Sequence, residues 1–452
     1  MSLPTAIFRA YDIRGIAETD LRDDIVRDIG RALGTRVRRA GGRRVALGRD
    51  ARLSGPRLRA ALLEGLLSTG VDVLDLGAIP TPLLYFGVYH LGLDGGVEIT
   101  GSHNPPEYNG FKMLVGQETL HSDQIQELRG MIEAQDFEVG QGTLSSGNIE
   151  DAYVAWVTQN LTLGDRRFRV YVDAGNGIAG LVAKRLYEAM GMEVVGAYLE
   201  PDGTFPNHHP DPTIVETLDL MREGMQASAC DLALGFDGDG DRLGVVDGEG
   251  GILWGDKLLL LFARDILAQE PGATIVSEVK CSQTLFDDIV ARGGQAVMWK
   301  AGHSLIKSKM KETGALLAGE MSGHIFFKHR FFGFDDALYA GARLLEILSK
   351  SEQPLSRLLD DVPLTYATPE LRLDCPDDRK FAVVEAIVAQ MRERYPVVDI
   401  DGVRVQYPDG WGLIRASNTQ PVLVLRAEST TPEGRDRIEA ELSAIVAEHS
   451  RS

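Results

Sequence analysis

Cysteine is nearly missing from this sequence. Cys230, Cys281 and Cys375 stand far apart and form no Cys-x-x-Cys pair, which excludes a disulfide framework or a zinc knuckle and fits a reducing compartment. Cationic residues are in deficit, since 47 Lys and Arg against 66 Asp and Glu leave a formal net charge of −19. That balance argues against a general nucleic-acid or anionic-membrane surface, so neither partner is expected. Hydrophobic runs of membrane-spanning length are also lacking. The best stretch, residues 252–267, is broken by Asp256, Lys257, Arg264 and Asp265. No basic-then-apolar leader opens the sequence, and a cytoplasmic location is expected. A monomer is expected as well.

What is present is a long chain of ordinary balance. Its 452 residues, 44% apolar and 25% charged, suit a soluble globular protein of three or four domains. Residues 22–39 carry a helical pattern closed by Gly41-Gly42, and residues 45–47, 56–68 and 71–76 read as strand, helix and strand. A third apolar run, 97–100, delivers the chain into Gly101-Ser102-His103-Asn104-Pro105. The same grammar returns with strands at 170–172, 193–195 and 232–236 and a helix at 181–190. It returns again with strands at 275–276, 296–299 and 315–318 and a helix at 285–292. Such repeats predict duplicated α/β domains, each third strand ending in a polar, glycine-bearing loop. Ligands of open α/β sheets gather outside the carboxyl ends of strands, so three such loops facing one another would build one composite site.

After Pro363 the pattern changes to a strand at 371–373, a helix at 379–395, three short strands between 403 and 427, and a helix at 432–449. This is an α+β domain. The Gly/Ser-rich stretch 140–147 reads as the first linker. The expected domains are 1–147, 148–250, 251–362 and 363–452.

The clearest chemical signal is Asp237-Gly238-Asp239-Gly240-Asp241-Arg242. Three alternate carboxylates can converge on one hard cation, because the glycines between them permit positive-φ turns. An all-oxygen set suits Mg²⁺. A calcium EF-hand loop would place Gly sixth and Glu twelfth, where this chain has Arg242 and Gly248. Ser102 ends its strand in a turn. Its hydroxyl needs a base or a metal to act as a nucleophile, or it arrives phosphorylated and offers oxygens to the metal. Neighbouring His103 reads equally as scaffold or as acid and base. Lys112, shortly after, would stabilise transferring charge beside a phosphoryl group. Glu320 and Ser322 alternate across Met321, so in extended backbone both side chains face one way, a pair suited to vicinal sugar hydroxyls. His303 and His324 read as base, phosphate ligand or packed core. Arg415-Ala416-Ser417-Asn418-Thr419 gathers a guanidinium fork, two hydroxyls and an amide, suited to bidentate phosphate binding. No Gly-x-x-x-x-Gly-Lys occurs, so phosphate binding is indicated rather than nucleotide hydrolysis.

With four loops in this order, the whole chain resembles the α-D-phosphohexomutases, and most closely their bacterial phosphomannomutase/phosphoglucomutase branch. Residues 100–105 resemble the phosphoserine loop, with Gly101 where alanine is more usual; residues 237–242 match the magnesium loop. Residues 320–324 resemble the sugar loop of that branch, where the phosphoglucosamine branch tends to carry Gln in place of Met321. Residues 415–419 resemble the phosphate loop, with Gln420 in place of a common Glu. The opening residues 8–15, which include Tyr11 and Arg14, Lys280 with Cys281, and residues 302–307 resemble the branch too.

The resemblance implies three related α/β/α domains with mixed sheets, a C-terminal α+β domain, and a cleft at the four-domain junction. It implies phosphoryl transfer between C1 and C6 of mannose and glucose phosphates through phosphorylated Ser102 and a hexose 1,6-bisphosphate, which is both intermediate and activator. Ser102, Asp237, Asp239 and Asp241 would hold Mg²⁺. Arg14, Lys112 and His324 would assist proton and charge transfer, with the base unassigned. Tyr11, Lys280, His303, Glu320, Ser322, Arg415, Ser417, Asn418 and Thr419 would bind the sugar phosphate. Phosphoglucosamine mutase and a metal-dependent sugar phosphatase are the alternative readings.

Overall fold

The computed structural model describes residues 3–418 and 421–451 and gathers their apolar runs into four sheets. The first holds β1 (Ile13–Ile16), β2 (Arg44–Arg49), β3 (Asp72–Ala78), β4 (Gly95–Ile99), β5 (Tyr108–Val115), β6 (Glu118–Thr119) and β7 (Leu144–Ser146). Their order is β1-β5-β4-β2-β3-β7, with β6 beside β5. The second holds β8 (Arg169–Asp173), β9 (Glu193–Ala197), β10 (Leu232–Phe236), β11 (Leu243–Asp247) and β12 (Ile252–Leu253), in the order β12-β11-β10-β8-β9. The third holds β13 (Thr274–Glu278), β14 (Gln295–Trp299), β15 (Leu317–Gly319) and β16 (Ile325–Phe327), in the order β14-β13-β15-β16. Because β12 pairs with β11, the second sheet runs across position 250.

The three sheets share one topology. In β5-β4-β2-β3, β11-β10-β8-β9 and β16-β15-β13-β14, three parallel strands carry an antiparallel strand beside the last of them. The sheets are therefore mixed. The loop from the last parallel strand into its antiparallel neighbour carries Ser102, then residues 237–242, then residues 320–324. The sequence repeat thus marks three equivalent corners.

The connection before each of those strands holds a helix that the sequence reading passed over: Thr81–His90, Val215–Ala227 and His303–Thr313. The first of these is buried from Thr81 to Val88. A helix apolar all round has no solvent face and belongs inside a larger assembly. Here it is the axle of the first three units. Tyr85 meets the Phe334 ring edge-on at 5.5 Å between centroids and lies under Lys307, whose Nζ is 4.4 Å from its ring. Phe86 packs edge-on against Tyr153 at 5.3 Å and reaches Trp156 and Phe332. A single large core follows, continuous across all three units.

Residues 140–147 correct the sequence reading of a linker. Gly140 and Gly142 donate backbone hydrogen bonds to Ser68 and Leu67, and β7 pairs in parallel with β3. A Cβ on Gly142 would lie 1.9 Å from the Val71 carbonyl. Glycine is there for close approach, so the stretch is a bound sheet edge.

The fourth sheet is antiparallel throughout: β17 (Tyr366–Ala367), β18 (Leu371–Asp374), β19 (Val397–Val398), β20 (Val403–Tyr407), β21 (Gly410–Ala416) and β22 (Val422–Ser429). The helices Lys380–Arg392 and Pro432–Arg451 back it. It docks on the third unit through Arg404, which is fully buried. The guanidinium donates to the carbonyls of Val279 (2.5 Å) and Cys281 (2.7 Å) and stacks 3.7 Å from the Trp411 ring. Trp411 Nε1 and Ser282 Oγ both donate to Glu428 Oε1, at 2.9 and 2.8 Å. Among the described residues, no helix is long and apolar enough to cross a membrane.

Phe86→Ala tests the axle. Removing a fully buried phenylalanine is expected to destabilise the first three units by about 3–5 kcal/mol, read as a lower midpoint in thermal and urea unfolding. An unchanged midpoint would show that the shared core does not depend on this helix.

Candidate active site

Asp237, Asp239 and Asp241 are all without exposed surface, and their turn is held by its own backbone. Asp237 Oδ1 accepts from the amides of Gly240 (3.0 Å), Asp241 (3.0 Å) and Arg242 (3.1 Å), and Gly240 supplies the positive φ of +78°. One ligand atom from each carboxylate lies within 4.8 Å of the others. Buried carboxylates this close disfavour one another's charge. Burial first, then Asp239 and Asp241, push Asp237 well above the usual carboxylate range. Burial also acts to raise Asp241, but the Lys112 ammonium and His324 outweigh it and hold the group well below that range.

The first and third units both reach into this cluster. From the first, Ser102 Oγ donates to Asp237 Oδ2 at 2.8 Å, Thr81 Oγ1 donates to Asp239 Oδ2 at 2.5 Å, and Lys112 Nζ donates to Asp239 (2.6 Å) and to Asp241. From the third, His324 Nε2 lies 3.2 Å from Asp241 Oδ1. Asp239 Oδ1 is buried with no hydrogen-bond partner. Three buried carboxylates, one with an orphaned oxygen, fit a hard divalent cation.

Ser102 is itself buried and takes φ +49°. Its Oγ also lies 3.1 Å from His103 Nδ1, and its amide donates to Thr100 Oγ1. Arg14, on β1 opposite Gly110, donates to Asn104 Oδ1 at 2.5 Å and pairs with Asp12. Arg14 therefore braces the far end of the Ser102 loop.

Glu320 and Ser322 do not share a face through an extended strand, as the sequence reading supposed. Gly323 N donates to the Glu320 carbonyl at 3.1 Å, which closes a turn. The turn still brings both side chains to one atom: Glu320 Oε2 and Ser322 Oγ each lie 3.1 Å from His324 Nδ1. Burial lowers the His324 pKa, but Asp241 and Glu320, facing its two ring nitrogens, more than offset this and lift it to about 9. His303 opens the helix His303–Thr313, with Nδ1 3.4 Å from Asp335 Oδ2. There burial prevails over Asp335 and lowers its pKa.

The fourth unit closes the cleft around the backbone of one residue, Ala301. Arg415 Nε donates to Asp401 Oδ2 at 2.9 Å, and that oxygen also accepts from Ala301 N at 3.0 Å. The Ala301 carbonyl accepts from Tyr11 OH at 2.7 Å, and the same phenol oxygen accepts from Asn418 Nδ2 at 2.5 Å. Ser417 holds the loop through its amide, which donates to the Val422 carbonyl. Lys280 Nζ spans Glu370 (3.3 Å) and Glu278 (3.5 Å). Thr419 and Gln420 lie outside the described residues. The described site residues thus come from all four units. Ser102, Lys112 and His324, with Glu320 and Ser322 behind it, gather about the carboxylates. Tyr11, Arg415 and Asn418 meet about Ala301, and Lys280 lies between Glu278 and Glu370.

Sequence reasoning missed several partners. Arg242, left without a role, pairs with Asp211 and reaches His324 Nε2 at 3.4 Å. Thr81 follows Pro80 and precedes Pro82, a helix-start signal that was present and unread. Asp335 and Asp401 gave no signal, because their partners are distant in sequence.

All four segments match family models described as phosphoglucomutase/phosphomannomutase: α/β/α domain I over residues 5–139, domain II over 151–251, domain III over 254–366, and the C-terminal domain over 370–445. The phosphomannomutase/phosphoglucomutase of Pseudomonas aeruginosa is 50% identical over 97% of this chain and 94% of its own. The phosphoglucomutase of Neisseria gonorrhoeae is 46% identical over 98% of this chain and 97% of its own. A crystal structure of a phosphoglucomutase/phosphomannomutase family protein from Burkholderia thailandensis superposes with a TM-score of 0.93 at 44% identity, covering 99% of this chain and 98% of that one. With its four units matched in order and its length spanned, this chain belongs to the phosphoglucomutase/phosphomannomutase family.

Proposed function

We propose that this enzyme moves a phosphoryl group between O1 and O6 of glucose and mannose phosphates, with Ser102 as the carrier. The observation that carries the reading is Ser102 Oγ, 2.8 Å from Asp237 at the edge of the three-carboxylate cluster. Phosphorylated Ser102 gives its phosphoryl group to O6 of a hexose 1-phosphate. The resulting 1,6-bisphosphate turns end for end, and the Ser102 oxygen takes back the group at C1. Asp237, Asp239, Asp241 and an oxygen on phosphorylated Ser102 would hold Mg²⁺, which draws charge from the phosphoryl group in transfer.

The chain's own groups do the rest. Arg14 and Lys112 face the reacting end with positive charge, and His324 joins them from the sugar loop. Glu320 and Ser322 address the sugar hydroxyls. Lys280, His303, Tyr11, Arg415, Ser417 and Asn418 serve the far end, for the phosphate that is not reacting. Asp401 engages Arg415 through Nε, which supports a guanidinium pre-aligned for that phosphate. All four loops come from one chain, which supports a monomeric working unit. Three free, buried cysteines suit a reducing cytoplasm.

Ser102→Ala is expected to abolish nearly all turnover while sugar-phosphate binding and folding persist, and peptide mass analysis of the wild-type protein is expected to find phosphate on Ser102. Full activity in the alanine variant would sink the assignment. Thr81→Val removes a hydroxyl held on Asp239. It is expected to raise the Mg²⁺ concentration for half-maximal activity by roughly 10- to 100-fold, as loss of a ligand's outer partner does; an unchanged Mg²⁺ titration would remove Thr81 from the metal site. Arg415→Lys keeps charge but loses the planar fork. The expected loss is roughly ten- to a hundredfold in kcat/KM, with stronger dependence on added glucose 1,6-bisphosphate as that intermediate escapes. Steady-state assays with and without the bisphosphate check it, and unchanged values would show that the phosphate is held elsewhere.

A further inference from the structure

Arg52 is fully buried beneath the loop that carries Ser102. A guanidinium has five N–H donors, and each finds an acceptor here. Nε donates to Asp50 Oδ2 (3.1 Å), Nη1 to the carbonyls of Pro105 (2.6 Å) and Tyr108 (2.9 Å), and Nη2 to those of Ser102 (2.8 Å) and Asn104 (2.5 Å). Four carbonyls from the loop after β4 and the first residue of β5 thus turn inward onto one cation. Asp50 completes the frame from below, accepting from Thr100 Oγ1 (2.7 Å) and from the Gly101 amide (3.3 Å).

This arrangement decides where the Ser102 side chain goes. Its φ of +49° is costly for a residue with a Cβ, and such a conformation persists only where the surroundings over-determine it. Arg52 Nη2 holds the Ser102 carbonyl down, and Oγ is left facing Asp237 and His103. The residue before the serine leaves the needed space: a Cβ on Gly101 would lie 2.6 Å from Arg52 Cζ and Nε. From the second unit the Phe205 ring covers the guanidinium, 5.2 Å from Cζ, and a Cβ on Gly203 would meet Arg52 Cα at 2.7 Å.

We propose that Arg52 is the positioning residue that aims Ser102 in phosphoryl transfer, and that Gly101 exists to admit its guanidinium. The inference rests on Ser102 as carrier. Its test is a double-mutant cycle in the full-length enzyme. Arg52→Lys keeps a charge opposite Asp50 but offers three donors and no planar fork. It is expected to lower kcat, and the rate at which glucose 1,6-bisphosphate phosphorylates Ser102, by about a hundredfold, the scale of an ångström-sized misplacement. KM is expected to hold, since the sugar and phosphate loops are untouched. Gly101→Ala is expected to do the same alone and to cost little more in an Arg52→Ala background, where neither Nε nor Cζ opposes the added methyl; Arg52→Lys would still hold Cε and Nζ in those places.

Losses that simply multiply, or wild-type kcat in either single variant, would overturn the proposal. A joint fall of kcat, substrate affinity and melting temperature in both single variants would mark a merely structural role and overturn it too. Should Arg52→Lys fail to fold, Gly101→Ala alone decides: reduced kcat at an unchanged melting temperature and KM supports the proposal, and retained kcat sinks it. A wild-type enzyme that never carries phosphate on Ser102 refutes the carrier itself. Wild-type phosphorylation matched in rate by Arg52→Lys refutes only the role of Arg52.

Discussion

Three carboxylates buried against one another are the constraint on which this molecule turns. Two full charges no more than 4.8 Å apart repel by roughly 3 kcal/mol or more even at an effective dielectric constant of about 20, and burial adds a desolvation cost to each. The loop cannot relieve this alone, although Asp237 collects three of its backbone amides. Relief comes from outside: Lys112 and Thr81 from the first unit and His324 from the third. The electrostatic need of one loop is therefore met by side chains that only a particular packing of three units can deliver. Fold and site are one problem here.

The repeated topology makes that packing possible. Each of the first three sheets ends its last parallel strand in the same corner, before an antiparallel strand. One corner presents a hydroxyl, one a set of carboxylates and one a carboxylate, hydroxyl and imidazole. The corner residues differ in kind, and the parallel strands that lead into them are short, mostly apolar runs. The helix Thr81–His90 brings two corners together, since its first residue touches the second unit's Asp239 while Tyr85, one turn on, lies against Phe334 and Lys307 of the third.

What could be read from sequence was what is local. The carboxylates at 237, 239 and 241 share one turn, and the strands of the repeat are short apolar runs, so both were legible. Arg52 and Ser102 are 50 residues apart, and Thr81 and Asp239 are 158 apart; no spacing rule spans such distances. Glycine misled at 140–147 because it has two physical uses, freedom and close approach, and only a neighbour such as the Val71 carbonyl tells them apart. Glu320 and Ser322 do come together, by a route their alternation did not suggest. A turn around His324, rather than an extended strand, brings them together.

The fourth unit adds a different kind of contact at each of its ends. Where it docks on residues 279–283, Arg404, Trp411 and Glu428 are buried, and the cation stacks on an indole while donating to two carbonyls. Separating that surface would give up, all at once, the cation stacking, both carbonyl bonds and the apolar contact among Val279, Trp411 and Leu413. At the cleft, the links are hydrogen bonds about the backbone of Ala301, its amide donating to Asp401 and its carbonyl linked through Tyr11 to Asn418. Water can replace bonds of that kind at a modest net cost. A bisphosphate that must turn end for end needs a far-end grip that releases and re-forms, and the partition of contacts allows this. The dock at residues 279–283 is the costlier of the two to part, and the carboxylate cluster takes its partners from the first and third units, so an opening at Ala301 would leave those partners in place.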